Sequence, residues 1–394
     1  MSVREKKVET TTPEGEKLET KWWIADYTDG TGRHQKRFKY KRDAVAFHEQ
    51  MKVAIRAGTH VALPSDLTIE NASDRWLKKV EANARDRGTI KFYREHIKLH
   101  ILPRVGNLKL AKLTKGHVEH FRDGLISGVG NHPKLSRPTA AKVLRSFKSM
   151  LRANGCSHLG DGVNIEISRR HQHELEQGRD IPTPQEIARL VKAAKTAILE
   201  YPQDEVRKRV WALIMTAAST GLRASELRGL PWRCVDLKAG ELHVRQRADA
   251  WLNIGSPKSK GSRRTIPLSA ELVLALKEWK LACPKGELDL VFPTSSGAVQ
   301  HHKNMLEDVE RVMKAAGVVT KDGTPKYALH CFRHFFASWC INRKEDGGRE
   351  LPVKVVQTLL GHSSIIMTMD VYGHLFPQSS DRAELDASAK ALFG

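Results

Sequence analysis

The chain has 394 residues, 40% hydrophobic and 28% charged, enough for two or three soluble globular domains that each bury a core. Lys and Arg number 66 against 45 Asp and Glu, giving a net charge of +21 and a pI near 9.8, so a polyanion is the natural partner. The excess is not one basic tail, since residues 1–60, 61–180 and 181–394 carry +4, +9 and +8. The longest apolar-rich stretch, near Val210 to Ala218, is far too short to span a bilayer. The charged start MSVREKKVETTTPEGEK has no apolar core and does not read as a signal peptide. The five cysteines, at 156, 234, 283, 331 and 340, are odd in number and lack paired or zinc-ligand spacing, which fits a reduced cytoplasmic setting.

In chain order, residues 20–40 alternate strand-like residues around Asp29-Gly30 and Gly32, predicting a β-hairpin, and 41–57 predicts a helix. Arg33, Lys36, Arg37 and Lys39 lie along or just after the second strand, and a basic β-ribbon can enter a DNA major groove. Residues 60–67 read as a linker. Helices are expected at 68–84, 88–100, 114–127 and 138–153, the second stopped by Pro103. Lys91, Arg94 and Lys98 line one of them. Lys142, Arg145, Lys148 and Arg152 form a stripe on another at three- and four-residue steps. A basic stripe is often only a solvated face, but two of them in the most basic third of the chain favour DNA binding.

Residues 154–180, rich in Gly, His and charge, read as a connection. Pro182-Thr183-Pro184 then opens a helix with Thr183 as N-cap and Glu186 as its partner. A mostly buried helix at 206–220 follows, then strands at 235–244 and 264–268 around the basic turn SPKSKGSRR. Helices are expected at 269–280 and 302–316, and 318–327 reads as a loop. The fold class is mainly α with small β-sheets (α+β).

Four pieces of this last region carry chemistry. TGLRASEL ends the buried helix and fixes Arg223 at a helix junction, with Glu226 three residues on to cap the next helix or buttress the guanidinium. The basic turn offers Lys258, with Lys260 as its rival. LHCFRHFF places His330 and Arg333 on one helical face, with His334 one step off it. LLGHSSIIMTMDVYGHLF holds His362 and Tyr372 in an apolar segment between Gly361 and Gly373, which read equally as hinges or as turn formers. There is no Ser/His/Asp set, phosphate-binding glycine loop or carboxylate cluster for a metal. Two guanidiniums can hold the non-bridging oxygens of a phosphodiester, and a tyrosine is then the obvious nucleophile. A free phenol has a pKa of about 10, so only about one in a thousand is ionised at pH 7 and a base must help. His330 is the candidate base, Lys258 the general acid for the leaving 5′ oxygen, and His362 a supporting phosphate donor. No metal or other cofactor is required.

TGLRASEL, PKSKGSRRTIPL, LHCFRH and LGHSSIIMTMDVYGHLF, in this order, resemble the catalytic domain of the tyrosine recombinases, in the phage and mobile-element integrase branch. The resemblance implies that Arg223, Lys258, His330, Arg333, His362 and Tyr372 form the catalytic set, with Glu226 supporting. It implies an arm-type DNA-binding domain at 1–62, a helical core-type DNA-binding domain at 63–177 and a mixed α/β catalytic domain with a C-terminal tail at 178–394. The implied activity is site-specific recombination through a 3′-phosphotyrosyl intermediate, without ATP, for integration or excision of a prophage or mobile element. Implied partners are double-stranded attachment-site DNA, three further copies in a homotetramer around a Holliday junction, and accessory DNA-bending and directionality proteins. The tail, with Leu385, Ala389, Leu392 and Phe393, is expected to pack on a neighbouring subunit. A type IB topoisomerase would use nearly the same constellation, and a non-catalytic DNA-binding regulator would share only the charge.

Overall fold

A computed structural model describes residues 2–11, 17–29, 32–56, 66–83, 86–167, 175–257, 260–376 and 382–393. The chain forms two compact units, Met1–Gln172 and His173–Gly394. Helices dominate both, and the sheets are small, giving the α+β class expected.

The first unit begins with an antiparallel sheet of β1 (Ser2–Thr11), β2 (Lys17–Asp29) and β3 (Gly32–Phe38), in that order, followed by α1 (Lys41–Arg56). The expected hairpin is β2–β3, and β1 is a third strand that the charged start gave no apolar alternation to signal. Cross-strand partners share a face, so the register pairs Arg4 with Ile24, Asp26 with Gln35 and Ile24 with Arg37 on one side. Trp23 with Phe38, Ala25 with Lys36 and Tyr27 with His34 lie on the other. The second face packs on α1, where Phe47 lies 5.2 Å from Phe38 and 5.9 Å from Tyr27, ring centre to ring centre.

A helical cluster follows: α2 (Ile69–Ala82), α3 (Arg87–His96), α4 (Leu102–Val105), α5 (Lys115–Ser127) and α6 (Arg137–Ala153). Trp76, Ile97, Ile101, Phe121, Leu125, Phe147 and Leu151 form its interior. Pro103 does not stop the chain as expected. A π-turn at Ile97–Ile101 joins α3 to α4, and Pro103 sits in the first turn of α4, where its missing N–H is not needed. The segments read as a linker (60–67) and a connection (154–180) differ from expectation in part. Leu67 is already core, and Cys156 and Val163 are buried in the same cluster, so the segment taken as a connection is part of this domain at least to Ile165.

The second unit runs α7 (Pro184–Glu200), α8 (Glu205–Thr220), α9 (Ala224–Arg228), β4 (Val235–Asp236), β5 (Glu241–Val244), β6 (Arg247–Ala248), β7 (Ile254–Gly255), β8 (Arg264–Pro267), α10 (Ala270–Ala282), α11 (His302–Ala315), α12 (Cys331–Ile341), α13 (Val353–Leu360), α14 (Ile365–Tyr372) and α15 (Arg382–Phe393). Thr183 and Glu186 form the capping box anticipated at the start of α7. Beyond its charged first turn helix α8 is buried nearly all round, from Arg209 to Thr220, so it is the axis on which α7, α10 and α12 pack. The strand expected at 235–244 is split by a turn into the antiparallel pair β4 and β5, which join β8 in a three-stranded sheet, β4-β5-β8, and the short β6–β7 ribbon has strands of only two residues each, too short for alternation to signal.

Candidate active site

Two left-handed glycines fix the frame. Gly221 ends α8 at φ 60°, and a Cβ there would collide with the Phe336 ring, so the turn that presents Arg223 needs glycine on both counts. Gly361 ends α13 at φ 66°, where a Cβ would come within 2.9 Å of the Arg264 guanidinium. Gly361 therefore has a turn-forming role, whereas Gly373 has ordinary helical dihedrals.

Around these turns lie three arginines and one carboxylate. Glu226 is buried at the start of α9 and accepts from the Arg223 backbone N–H and from its Nη1, both at 2.9 Å. The other side of the same carboxylate takes Arg264, at 3.2 Å from Nη1 and 2.9 Å from Nη2. Arg264 also donates through Nε to the Leu359 carbonyl, at 2.6 Å. Burial pushes the Glu226 carboxyl up, but the Arg264 hydrogen bonds and the charges of Arg264 and Arg223 outweigh it, holding the pKa below the ordinary value. Glu226 thus both caps α9 and buttresses Arg223. Arg223 Nη2 donates to the Gly361 carbonyl at 3.2 Å, and its side chain stays 32% exposed.

Arg333 is buried on α12 and donates to the carbonyls of Gly221 (2.7 Å) and Leu360 (2.6 Å). It therefore ties the two glycine turns together. Burial, then the charges of Arg223 and Arg264, lower its pKa to about 9, so it remains a cation at neutral pH. These two bonds use one N–H on each terminal nitrogen of a guanidinium that carries five.

Tyr372 closes α14 and is buried in the core of the unit. Its Oη lies 2.8 Å from Nδ1 of His334. Burial raises the phenol to about 12, against the opposing charges of Arg333 and Arg223. His362, also buried, places Nδ1 2.9 Å from Thr368 Oγ1 and stacks nearly parallel to the Tyr372 ring at 6.4 Å. His330 stands at the N-terminal boundary of α12 without a capping bond, is exposed, and meets the His334 ring at 4.8 Å, edge to face. Desolvation by the surrounding protein, then the charges of neighbouring groups, lower His330 and His362 to about 4, so both imidazoles are neutral near pH 7.

The structure thus brings Arg223, Glu226, His330, Arg333, His362 and Tyr372 together. Lys258 lies outside the described residues. The 3-10 turn Lys260–Ser262 lies against the tyrosine segment, since a Cβ on Gly261 would sit 3.7 Å from the His362 carbonyl. Two site residues were missed. Arg264 looked like one more cation of a basic turn, and only the chain's return to Glu226 reveals its role. His334 was set aside as one step off the His330–Arg333 face, although an i to i+4 pair also shares a helix face.

The DNA-binding candidates divide. Lys98, Lys142 and Arg145 are exposed, the last two beside a groove that also takes in the exposed Phe92. Lys91 and Arg94 are exposed but paired with Glu95 (3.8 Å) and Glu81 (2.7 Å). Lys148 departs from the expected stripe: its Nζ donates to the Val163 carbonyl (3.0 Å) and Asn164 Oδ1 (3.2 Å), holding the end of the domain. In the sheet, Arg37 is exposed, while Arg33 is exposed but bonded to the buried Asp26, whose pKa it helps lower to about 2. Lys36 projects on the helix side, over the Phe47 ring at 4.4 Å, and Lys39 over Tyr40 at 5.7 Å.

Buried guanidiniums, neutral imidazoles and a sheltered phenol suit transfer of a phosphoryl group to tyrosine. The sequence profile of the phage integrase family matches residues 182–379, half of the chain, and that of the phage integrase N-terminal SAM-like domain matches 68–126. A tyrosine recombinase XerC-like protein of Caldanaerobacter subterraneus subsp. tengcongensis is 25% identical over 88% of each chain. The integrase of Salmonella phage P22 is 24% identical over 90% of this chain and 89% of its own. Among solved structures, the Tn1549 transposon integrase in complex with a circular intermediate DNA shares the fold at a TM-score of 0.58 and 18% identity, covering 83% of this chain and 99% of that one. A lambda integrase dimer bound to a COC′ core site gives 0.52 at 17% identity, with 95% of each chain covered. The chain belongs to the phage integrase family and is a site-specific recombinase of the tyrosine class.

Proposed function

We propose that the protein cleaves and rejoins attachment-site DNA to integrate or excise a mobile element or prophage, with Tyr372 as nucleophile. The observation that carries this reading is the placement of Tyr372, its buried hydroxyl against His334, its ring stacked on His362, and both under the charge of Arg333 and Arg223. Oη attacks the phosphorus, the P–O5′ bond breaks, and a 3′-phosphotyrosyl link and a free 5′-hydroxyl result. The 5′-hydroxyl of a partner strand then reverses the step. Arg223 and Arg333 bind the non-bridging oxygens as charge builds. In the Nε2–H tautomer, Nδ1 of His362 accepts from Thr368 Oγ1 and Nε2 offers its proton to the phosphate, and the exposed His330 presents a further donor. Lys258, or Lys260, supplies the proton for O5′. The phosphodiester bond is conserved in the tyrosyl link, so neither ATP nor a metal is called for.

The domain organisation we propose is an arm-type DNA-binding domain at 1–62, a core-type one at 63–177 and a catalytic domain at 178–394. The exposed Arg37, Lys98, Lys142 and Arg145 support DNA contact by the first two. A homotetramer on DNA accounts for the apolar residues exposed on α14, Ile366 at 65% and Met369 at 45%, and on α15, Leu392 at 77% and Phe393 at 88%. DNA-bending and directionality proteins complete the assembly. No helix among the described residues is long and apolar enough to cross a membrane, and we place the protein with its DNA in the bacterial cytoplasm. The test is a library of nicked duplexes with a randomised centre, from which protein–DNA adducts that survive denaturation are recovered and sequenced. Adducts at one recurrent site, followed by strand exchange between two copies of it, support the reading. Relaxation of supercoiled DNA without exchange would favour a type IB topoisomerase instead.

A further inference from the structure

His330 was the base suggested by the sequence, but the hydrogen-bond partner of the nucleophile is its neighbour one turn on. Tyr372 Oη is 2.8 Å from His334 Nδ1, and the His334 ring stands 4.8 Å from His330 and 5.8 Å from Tyr372. His330 keeps an exposed edge, whereas His334 is half-buried beside the phenol. We propose that His334 is a catalytic residue of strand cleavage, its Nδ1 taking the proton of Tyr372 Oη as the Oη–P bond forms and returning it when the strand is rejoined. This rests on the recombinase reading above.

The step balances. Neutral His334, protonated on Nε2, becomes an imidazolium; the oxygen lone pair freed from the phenol forms the bond to phosphorus; P–O5′ breaks, and O5′ takes a proton from the lysine of the basic turn. Burial and the Arg333 charge, opposed by Asp180, keep His334 below the ordinary histidine value, favouring the neutral ring, whose Nε2–H tautomer turns the Nδ1 lone pair to the phenol. The charged and titratable groups around it are His330 and Arg333 on its own helix, Tyr372 on α14 and Asp180 ahead of α7. With the phenol near 12, only about one in a hundred thousand is ionised at pH 7, so an acceptor already in contact has much to contribute. The arriving phosphodiester brings negative charge that raises the affinity of His334 for a proton at the moment it is transferred.

A purely structural role, in which His334 only satisfies a buried hydroxyl, makes a different prediction. His334→Asn keeps a polar atom near the Nδ1 position but cannot take the proton. On the site recovered from the nicked-duplex library, H334N should form adduct about 10²–10³-fold more slowly at pH 7, with unchanged duplex affinity and thermal midpoint. Its rate should climb about tenfold per pH unit as the phenol ionises unaided, while the natural chain levels off. Replacing Tyr372 by 3,5-difluorotyrosine, whose phenol ionises near neutral pH, should restore most of the loss in H334N. A rate within threefold of the natural chain, or a slower rate with a parallel pH profile and no rescue, overturns the proposal; the same signature in His330→Asn instead would return the role to His330. If H334N does not fold, His334→Gln is read by the same criteria. No adduct from the natural chain would contradict the recombinase reading itself, before any variant is compared.

Discussion

The two units both use cations, in opposite ways. In the helical cluster Lys98, Lys142 and Arg145 stand in water, where each is worth little to the fold and its charge is screened by salt. In the second unit Arg264 and Arg333 are almost wholly buried, and they are held by specific contacts to Glu226 and to the carbonyls of Gly221, Ser262, Leu359 and Leu360. Exposed cations suit a partner that slides and is recognised along its backbone, because hydration is given up only on contact. Buried ones suit a transition state, because their orientation is fixed before the substrate arrives. The contrast predicts that substitutions of the buried cations change chemistry and stability without changing salt dependence, and that substitutions of the exposed, unpaired cations of the helical cluster do the reverse.

The largest effect should come from Glu226→Ala, which leaves Arg264 buried without its anion. Urea unfolding should show a loss of about 3–5 kcal/mol, together with loss of adduct formation. In the natural chain the Glu226 pKa is depressed on folding, so its contribution is full above the unfolded-state glutamate value and is lost as pH falls through the lower folded value. Unfolding followed from pH 7 downward should show that loss in the acid range, and E226Q should show less of it.

Next is Arg333→Lys. An ammonium cannot reach the Gly221 and Leu360 carbonyls and an anion together in the planar geometry of a guanidinium. Cleavage should fall about 10²–10³-fold while the slope of log affinity against log salt stays as it was. The double variant Lys142→Ala, Arg145→Ala should do the opposite, lowering the magnitude of that slope by about 2 and leaving the cleavage rate at saturating DNA unchanged. The smallest effect is expected of Lys148→Met, whose ammonium serves Val163 and Asn164: a stability loss of about 1 kcal/mol and no change in salt slope. A salt effect as large as that of Lys142→Ala would place Lys148 on the DNA after all.

Legibility followed the range of the interaction. The capping box of Thr183 and Glu186, the α8 core helix and the Arg223–Glu226 pair each act over three or four residues, and their spacing is visible in the chain. Arg264 reaches Glu226 across 38 residues and Leu359 across 95, and no local pattern marks that. Pro103 misled because a π-turn shifts the helix by one residue and puts the proline in a first turn, a registration that periodicity does not show. Lys148 misled because a stripe predicts direction, not whether a carbonyl from Val163 meets it. His334 was misread by too narrow a view of a helix face. Strand β1 hid in charge, since most of its side chains offer no apolar alternation.

Everything in the proposed mechanism turns on Tyr372 becoming covalently joined to DNA. The direct measurement is mass spectrometry of peptides from the denaturation-resistant adduct, comparing the natural chain with Tyr372→Phe at equal occupancy of the recovered site. A nucleotide is expected on the peptide containing Tyr372 and no adduct from Y372F, with duplex binding retained. An adduct that persists in Y372F, or one mapped to another residue, would contradict it.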